Sequence, residues 1–421
     1  LKVLIVGGGG REHALAWKLK QSPRVRELYV APGNAGTSKL AHNLDISTGD
    51  LKGLAAAAKA KGIGLTVVGP EGPLASGIVD LFIEQGLAVV GPTRAAARIE
   101  SSKAFARELM QKMRIPCAKG ATFKSFAEAK AYLDRNPVPV VVKADGLAAG
   151  KGVVVAETRE EALKALRDTM ETRTFGSAGD TVVIEERLIG REVSLLAFTD
   201  GETVVPMVPA CDHKRVFDGD TGPNTGGMGC FSPPRFFDDS LTREIVRTVL
   251  EPAIKGLAQA GCPFSGILYA GLMVTSDGPK VLEFNARFGD PETQVILPRM
   301  KTDLLEVLQA ISKRRLNKVE VEWKPDPCVG VVLTSGGYPG NYQKGFPIFG
   351  LDKMDPDVMA FHAGTRLDHD KGVVTDGGRV LTVAAPGRTM ADARTRAYSN
   401  IHRISFSGCH YRKDIAIMEV K

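Results

Sequence analysis

Four apolar residues, Val3-Leu4-Ile5-Val6, run straight into four glycines, Gly7-Gly8-Gly9-Gly10, and then into the polar opening of a helix-forming stretch. A short, wholly apolar run bounded by a turn reads as a strand buried on both faces, and such strands belong to parallel sheets covered by helices. The rest of the first hundred residues keeps the pattern. Residues 65–68 and 87–90 are further apolar runs, each followed by Gly-Pro, with helical stretches at 11–20 and 54–61. This alternation implies an α/β fold opening on a Rossmann-like parallel sheet.

The glycine turn offers free N–H groups at a helix N-terminus, where an anion is stabilised. It does not complete the dinucleotide fingerprint G-x-G-x-x-G, because Glu12 stands where the third glycine belongs. A nicotinamide oxidoreductase is therefore disfavoured. A phosphate site at Gly9, Gly10 and Arg11, or simply a tight strand-to-helix turn, both remain open.

From residue 101 the pattern changes. A helix over 103–113 leads to strands at 138–143, 153–156 and 181–185, with a helix at 160–171. Strands at 193–199 and 203–209 follow, then a helix over 241–259. The runs 267–275 and 280–285 flank Ser276-Asp277-Gly278-Pro279, a hairpin signal. A polar stretch at 319–327 marks a boundary, and a last helix spans 390–404. No internal repeat is visible.

Four segments carry chemistry. Lys143 ends a buried strand, where an ammonium needs an anion, and a loop with Gly146, Gly150, Lys151 and Gly152 follows. Such a loop can lie over phosphates, although it lacks the Ser/Thr of a P-loop; an ordinary hairpin is the bland alternative. Glu185, Glu186 and Glu192 cluster around a strand end, where carboxylates could accept from an amine or ribose hydroxyls or simply face water. Glu283 and Asn285 share one strand face and suit Mg²⁺, with Arg287 on the same parity to stabilise a transferring phosphoryl; a structural salt bridge is the alternative. Asp212-His213-Lys214-Arg215 precedes the glycine-rich run 221–229, and could clamp a sugar phosphate or be a flexible basic loop.

Composition limits the classes. At 421 residues the chain should form two to four domains. A net charge of +7, with basic and acidic residues interspersed and only 6% aromatics, argues against nucleic-acid binding and suits small anionic ligands. No run approaches the ~18 apolar residues of a membrane span. The six widely spaced cysteines read as reduced thiols of a cytoplasmic protein.

Together these segments resemble the ATP-grasp enzymes. Gly-Arg-Glu-His-Ala-Leu (10–15), Ala-Pro-Gly-Asn-Ala-Gly-Thr (31–37), Val-Gly-Pro-Glu (68–71), Lys-Ala-Asp-Gly-Leu-Ala-Ala-Gly-Lys-Gly (143–152), Asp-His-Lys-Arg (212–215), Thr-Gly-Pro-Asn-Thr-Gly-Gly-Met-Gly (221–229) and Arg-Phe-Gly-Asp-Pro-Glu-Thr-Gln (287–294) are similar to motifs of the phosphoribosylamine–glycine ligase family. The resemblance implies ligation of glycine to 5-phosphoribosylamine at the expense of ATP, through a glycyl phosphate, in purine synthesis. It implies an N-terminal substrate domain (1–101), an ATP-grasp domain (102–325) with a lid at about 121–188, and a C-terminal mixed α/β domain (326–421). Lys103, Lys143 and the loop residues Gly146, Gly150, Lys151 and Gly152 would meet ATP phosphates. Glu185, Glu186 and the backbone of Leu188 would hold adenine, Glu192 the ribose, and Glu283 with Asn285 a Mg²⁺ or Mn²⁺ ion. Substrate contacts would come from Gly9, Gly10, Arg11, Glu12, Glu71, Asp212, Lys214, Arg215, Asn224, Gly226, Arg287, Asp290 and Arg379, with Arg287, Lys143 and Asp290 catalytic. Small-molecule substrates are the expected partners, with the chain a monomer or weak homo-oligomer.

Overall fold

The computed structural model describes residues 1–147 and 152–420. Its first sheet has five parallel strands in the order His42–Asn43, Glu27–Pro32, Lys2–Gly7, Leu65–Val68, Val89–Val90. The central strand is sealed on both faces, as its apolar run requires. Leu4 and Val6 join Leu54, Ala58 and Phe82 on one side, while Val3 and Ile5 join Leu15 and Leu19 on the other. Alternation with a period of two sends neighbouring side chains into separate cores.

The turn after this strand explains Glu12. The helix Gly10–Leu19 starts with a capping arrangement in which the Glu12 carboxylate accepts from the Gly9 N–H at 2.6 Å. A Cβ on Gly69 would sit 1.9 Å from that carboxylate, so the glycine there makes room for it.

A second sheet, entirely antiparallel, runs Gly120–Phe123, Val182–Glu186, Val140–Ala144, Val153–Ala156. The helices Phe126–Arg135 and Arg159–Leu166 supply Leu133 and Leu166 to its core. The latter helix continues as a π turn through Glu171, so the helix expected at 160–171 is present with a change of winding.

A third sheet, also antiparallel, orders Val204–Pro206, Arg191–Thr199, Gly266–Thr275, Gly278–Asn285. The anticipated hairpin forms, with Thr275 opposite Gly278 and Gly271 opposite Glu283. The strand expected over 203–209 ends at Pro206, because Pro206 and Pro209 have no N–H to donate to a ladder. The last helix closes at Ile401 rather than 404.

The fourth sheet takes Cys211–Asp212 and Gly229–Ser232 from before position 326 and Cys328–Thr334, Arg379–Pro386 and Met359–His362 from after it. Sequence continuity and spatial continuity therefore part company here.

The helix that follows the first strand is tied to this last sheet through two histidines. Buried His13 accepts the His362 N–H on Nδ1 at 2.7 Å, and the rings lie 5.5 Å apart. Burial, then His362 and Lys39, hold His13 down at about 3; burial and Lys39 hold His362 down at about 4. Both folded values lie below the unfolded ~6.5. Their contribution is thus complete above that pH and is lost as pH falls toward 4, because only the unfolded chain takes up the protons. Between pH 7.5 and 5, His13 alone should cost roughly 2 kcal/mol of stability. Urea midpoints of the wild type should fall further over that interval than those of His13→Asn; parallel shifts would contradict the coupling.

Candidate active site

Lys143 lies at the end of its strand, and its ammonium is paired with Glu185 Oε2 at 2.6 Å and donates to the Leu282 carbonyl at 2.9 Å. The other Glu185 oxygen accepts from Arg107 at 2.8 Å. All three side chains are nearly sequestered, and a buried carboxylate shared by two cations is satisfied on both oxygens. Lys103 opens the helix Lys103–Met113 and donates to the Gly146 carbonyl at 3.0 Å. Asp145 accepts from the Ala104 N–H at that helix start, which joins the glycine loop to the helix. Gly150 and Lys151 lie outside the described residues. Glu186 accepts from the Lys119 N–H at 2.9 Å, and Leu188 is half-buried nearby in sequence.

Glu283 and Asn285 share a face of the hairpin strand. Glu283 faces Gly271, which leaves space beside its carboxylate. Burial raises the Glu283 carboxyl, but Lys214, Lys143, Lys103 and Arg287 outweigh it and hold the group below the usual range. Among the described residues no cluster of three or more metal-type side chains exists. Two protein oxygens suit a small hard cation that completes its shell with water and phosphate oxygens, and the surrounding cations disfavour a bare ion until phosphate offsets them. The donor set thus fits a metal that arrives with a nucleotide.

Arg287 is the meeting point of the substrate side. It lies 2.9 Å from Glu100 and 3.4 Å from Glu71, and donates to Asn285 Oδ1 at 3.2 Å. Burial raises Glu100; burial also raises Glu71, but Arg287 and Arg11 pull that carboxyl below its ordinary value. Arg11 donates to Glu12 at 2.6 Å and to the Phe288 carbonyl at 3.1 Å. Asp290 lies 3.3 Å from Arg379 and accepts from Gln294 at 2.8 Å. Burial opposes its ionisation, yet Arg379 and Arg11 hold it low. Arg379 also donates to the Gly226 and Asp290 carbonyls, joining the fourth sheet to the glycine-rich run. A Cβ on Gly9 would come 3.4 Å from Asp290, and one on Gly10 would strike Gln294, so the helix start packs directly on this segment.

Lys214 pairs with Glu192, leaving Asp212 Oδ1 buried without a hydrogen-bond partner. Burial, then Glu292, push the Asp212 carboxyl well above its usual range. Arg215, next after Lys214, pairs with Asn224 on an exposed hairpin that continues from this cluster.

Sequence reasoning missed Arg107, Glu100, Glu292 and Tyr269. Arg107 lies one helical turn beyond Lys103, a spacing that places two cations on one face. Glu292 lies within the segment 287–294 and accepts from the Tyr269 hydroxyl at 3.0 Å and from Ser194 at 3.3 Å. Glu100 had no sequence signal, because only the fold brings it to Arg287.

Profiles of the phosphoribosylglycinamide synthetase N domain, ATP-grasp (A) domain and C domain match residues 1–100, 101–293 and 328–418. A phosphoribosylamine–glycine ligase of Halalkalibacterium halodurans is 52% identical over 415 residues, covering 99% of this chain and 96% of its own. That of Yersinia pestis is 49% identical, covering 99% and 98%. The crystal structure of the Thermotoga maritima phosphoribosylamine–glycine ligase superposes with a TM-score of 0.87 at 33% identity, covering 99% of this chain and all of that one. The biotin carboxylase domain of Hydrogenobacter thermophilus 2-oxoglutarate carboxylase, solved with MgADP and bicarbonate, has a TM-score of 0.76 at 14% identity, covering 97% and 91%, and shares the fold. With all three profiles in order along the chain and half of its residues shared with full-length relatives, the chain belongs to the phosphoribosylamine–glycine ligase family, the phosphoribosylglycinamide synthetases.

Proposed function

We infer that Lys103, Lys143, Glu283, Asn285 and Arg287 form the centre at which this chain, an ATP-dependent phosphoribosylamine–glycine ligase of purine biosynthesis, activates glycine. The observation that carries this reading is the Glu283 carboxylate amid four cations, Lys214, Lys143, Lys103 and Arg287. That much positive charge around one acid suits a polyphosphate. Residues 1–101 serve the sugar substrate, 102–325 ATP, with 121–188 as a lid, and 326–421 complete the site through Arg379.

The glycine carboxylate attacks the γ-phosphoryl in line, giving glycyl phosphate and ADP; the amine of 5-phosphoribosylamine then displaces phosphate. Lys103 and Lys143 neutralise developing charge, and Arg287, fixed by Glu71 and Glu100, orients the carboxylate. Glu283 and Asn285 would hold a divalent cation, Mg²⁺ or Mn²⁺, which supplies further positive charge to the phosphate oxygens. Glu185, Glu186 and the Leu188 backbone serve adenine, and Glu192 the ribose. In this role Glu185 acts beside Lys143, since its oxygens are already engaged. Asp212, Lys214 and Asp290, with Gly9, Gly10, Arg11, Glu12 and Gly226, line the substrate side, and Arg215 and Asn224 on their hairpin face the sugar phosphate. A thiol nucleophile has no support, because burial pushes Cys328 and Cys409 up to about 12 and Cys211 and Cys230 up as well.

Turnover with carboxyl-¹⁸O glycine should deliver one labelled oxygen to inorganic phosphate per product formed. Label in AMP with release of pyrophosphate would overturn the acyl-phosphate route. Glu283→Gln should lower kcat by about 10²-fold or more with little change in KM for ATP; kcat curves against Mg²⁺ that superpose on the wild type would remove Glu283 from the metal site.

Burial, against Glu283, and then Lys143 lower the Lys103 ammonium. A bound polyphosphate would restore it, so ATP binding takes up a proton once pH rises past the lowered value. The KM for ATP should therefore climb as pH rises toward the ordinary lysine range in the wild type and stay flat in Lys103→Arg. An equal climb in both would exclude Lys103 as the titrating group.

A further inference from the structure

Arg215 and Asn224 stand on the hairpin formed by Arg215–Phe217 and Thr221–Asn224. Two-stranded hairpins are marginal without a packed face, and here Val216 alone is buried among the strand residues. Apolar packing, limited to Val216 and an edge-to-face contact of Phe217 with the His410 ring, does not by itself hold this hairpin in place.

Polar contacts from almost two hundred residues away do. The Arg412 guanidinium, 1% exposed, donates to the Arg215 carbonyl at 3.1 Å and to Asp220 Oδ1 at 2.7 Å. Its Nε and second Nη donate to the two Asp414 oxygens, each at 2.7 Å. Asp414 in turn accepts from the Gly219 N–H at 2.8 Å, and the Lys413 N–H donates to Asp218 at 2.8 Å. His410 Nε2 lies 2.9 Å from the Val216 carbonyl. Segment 410–414 thus grips the hairpin along one strand and around its turn.

The chemistry of the grip is informative. A buried guanidinium is costly to desolvate, and apolar residues of similar size often stabilise a fold as well or better. What a fork of directed donors adds is geometry, because bidentate pairing fixes position and angle together. We propose that segment 410–414 is a clamp on the substrate-side hairpin and that Arg412 is a positioning residue, setting where Arg215 and Asn224 meet the phosphate of 5-phosphoribosylamine. The proposal rests on the reading that these two residues face that substrate.

Full-length Arg412→Met and Asp220→Asn test it. Asp220 is exposed, so its variant takes the negative charge from one arm of the grip without emptying the buried site. Hydrogen exchange should quicken about tenfold over 215–224 and stay unchanged in the strand Lys2–Gly7. The KM for phosphoribosylamine should rise roughly tenfold while that for ATP holds, the size expected for lost charge-assisted contacts. Arg412→Lys, which cannot span both carboxylates, should not restore either readout. Unchanged exchange in the hairpin of a folded variant would overturn the clamp, as would an equal rise in both KM values. Arg215→Ala separates this from failure of the substrate reading: a loosened hairpin in the clamp variants with an unaltered phosphoribosylamine KM in Arg215→Ala would overturn the positioning role through the substrate assignment alone.

Discussion

The contact on which the rest of the molecule turns is Arg287 with Glu71 and Glu100. It joins the short helices Glu71–Ala75 and Arg98–Ser101 to the segment that continues the strand bearing Glu283 and Asn285. Removing the guanidinium would leave two carboxylates facing each other with no counter-charge between them, and one of those, Glu100, is already disfavoured as an anion by burial. The same side chain donates to Asn285 and to the Phe288 carbonyl, which Arg11 also reaches. Orientation of the first domain and orientation of the reactive face are therefore set by one group.

Around that contact the charges are arranged in alternation. Arg107, Glu185 and Lys143 form one chain, Arg379 and Asp290 another, and Lys214 pairs with Glu192. Pairing satisfies the buried ions without cancelling the cationic field at Glu283, where Lys214, Lys143, Lys103 and Arg287 together outweigh burial, and Glu185 is shared between two cations. A polyanion entering such a site meets preorganised donors and causes little rearrangement.

Much of this was legible in the sequence, for identifiable reasons. The apolar run at 3–6 reads as a doubly buried strand, and the shared face of Glu283 and Asn285 follows from the two-residue strand repeat, which ends at Asn285 before Arg287 is reached. The hairpin at 275–278 announced itself by its turn residues. Glu12 was readable as a failure of the dinucleotide fingerprint, but its work as a helix cap that packs into a glycine cradle was not. Glu185 looked like a free acceptor until Arg107, 78 residues earlier, proved to hold it. Glu100 and Arg412 were invisible because their meaning lies in partners far along the chain. Sequence patterns report local geometry; ion pairs between distant segments have no period to read.

The fourth sheet has a consequence for how the polypeptide comes into being. Its strand Gly229–Ser232, already paired with Cys211–Asp212, finds its other partner, Cys328–Thr334, only roughly a hundred residues later, and that strand is in turn completed by Arg379–Pro386. On the ribosome, the middle of the chain emerges with an open apolar sheet edge and waits for the end to be synthesised. The first sheet, whose pairings all lie within the opening ninety residues, can settle while translation continues. The late-arriving segment then closes the sheet in a step dominated by distant contacts, the slow kind. Truncation near position 326 would strand that edge in water, so the segment beyond it is a folding requirement of the middle rather than an appendage to it.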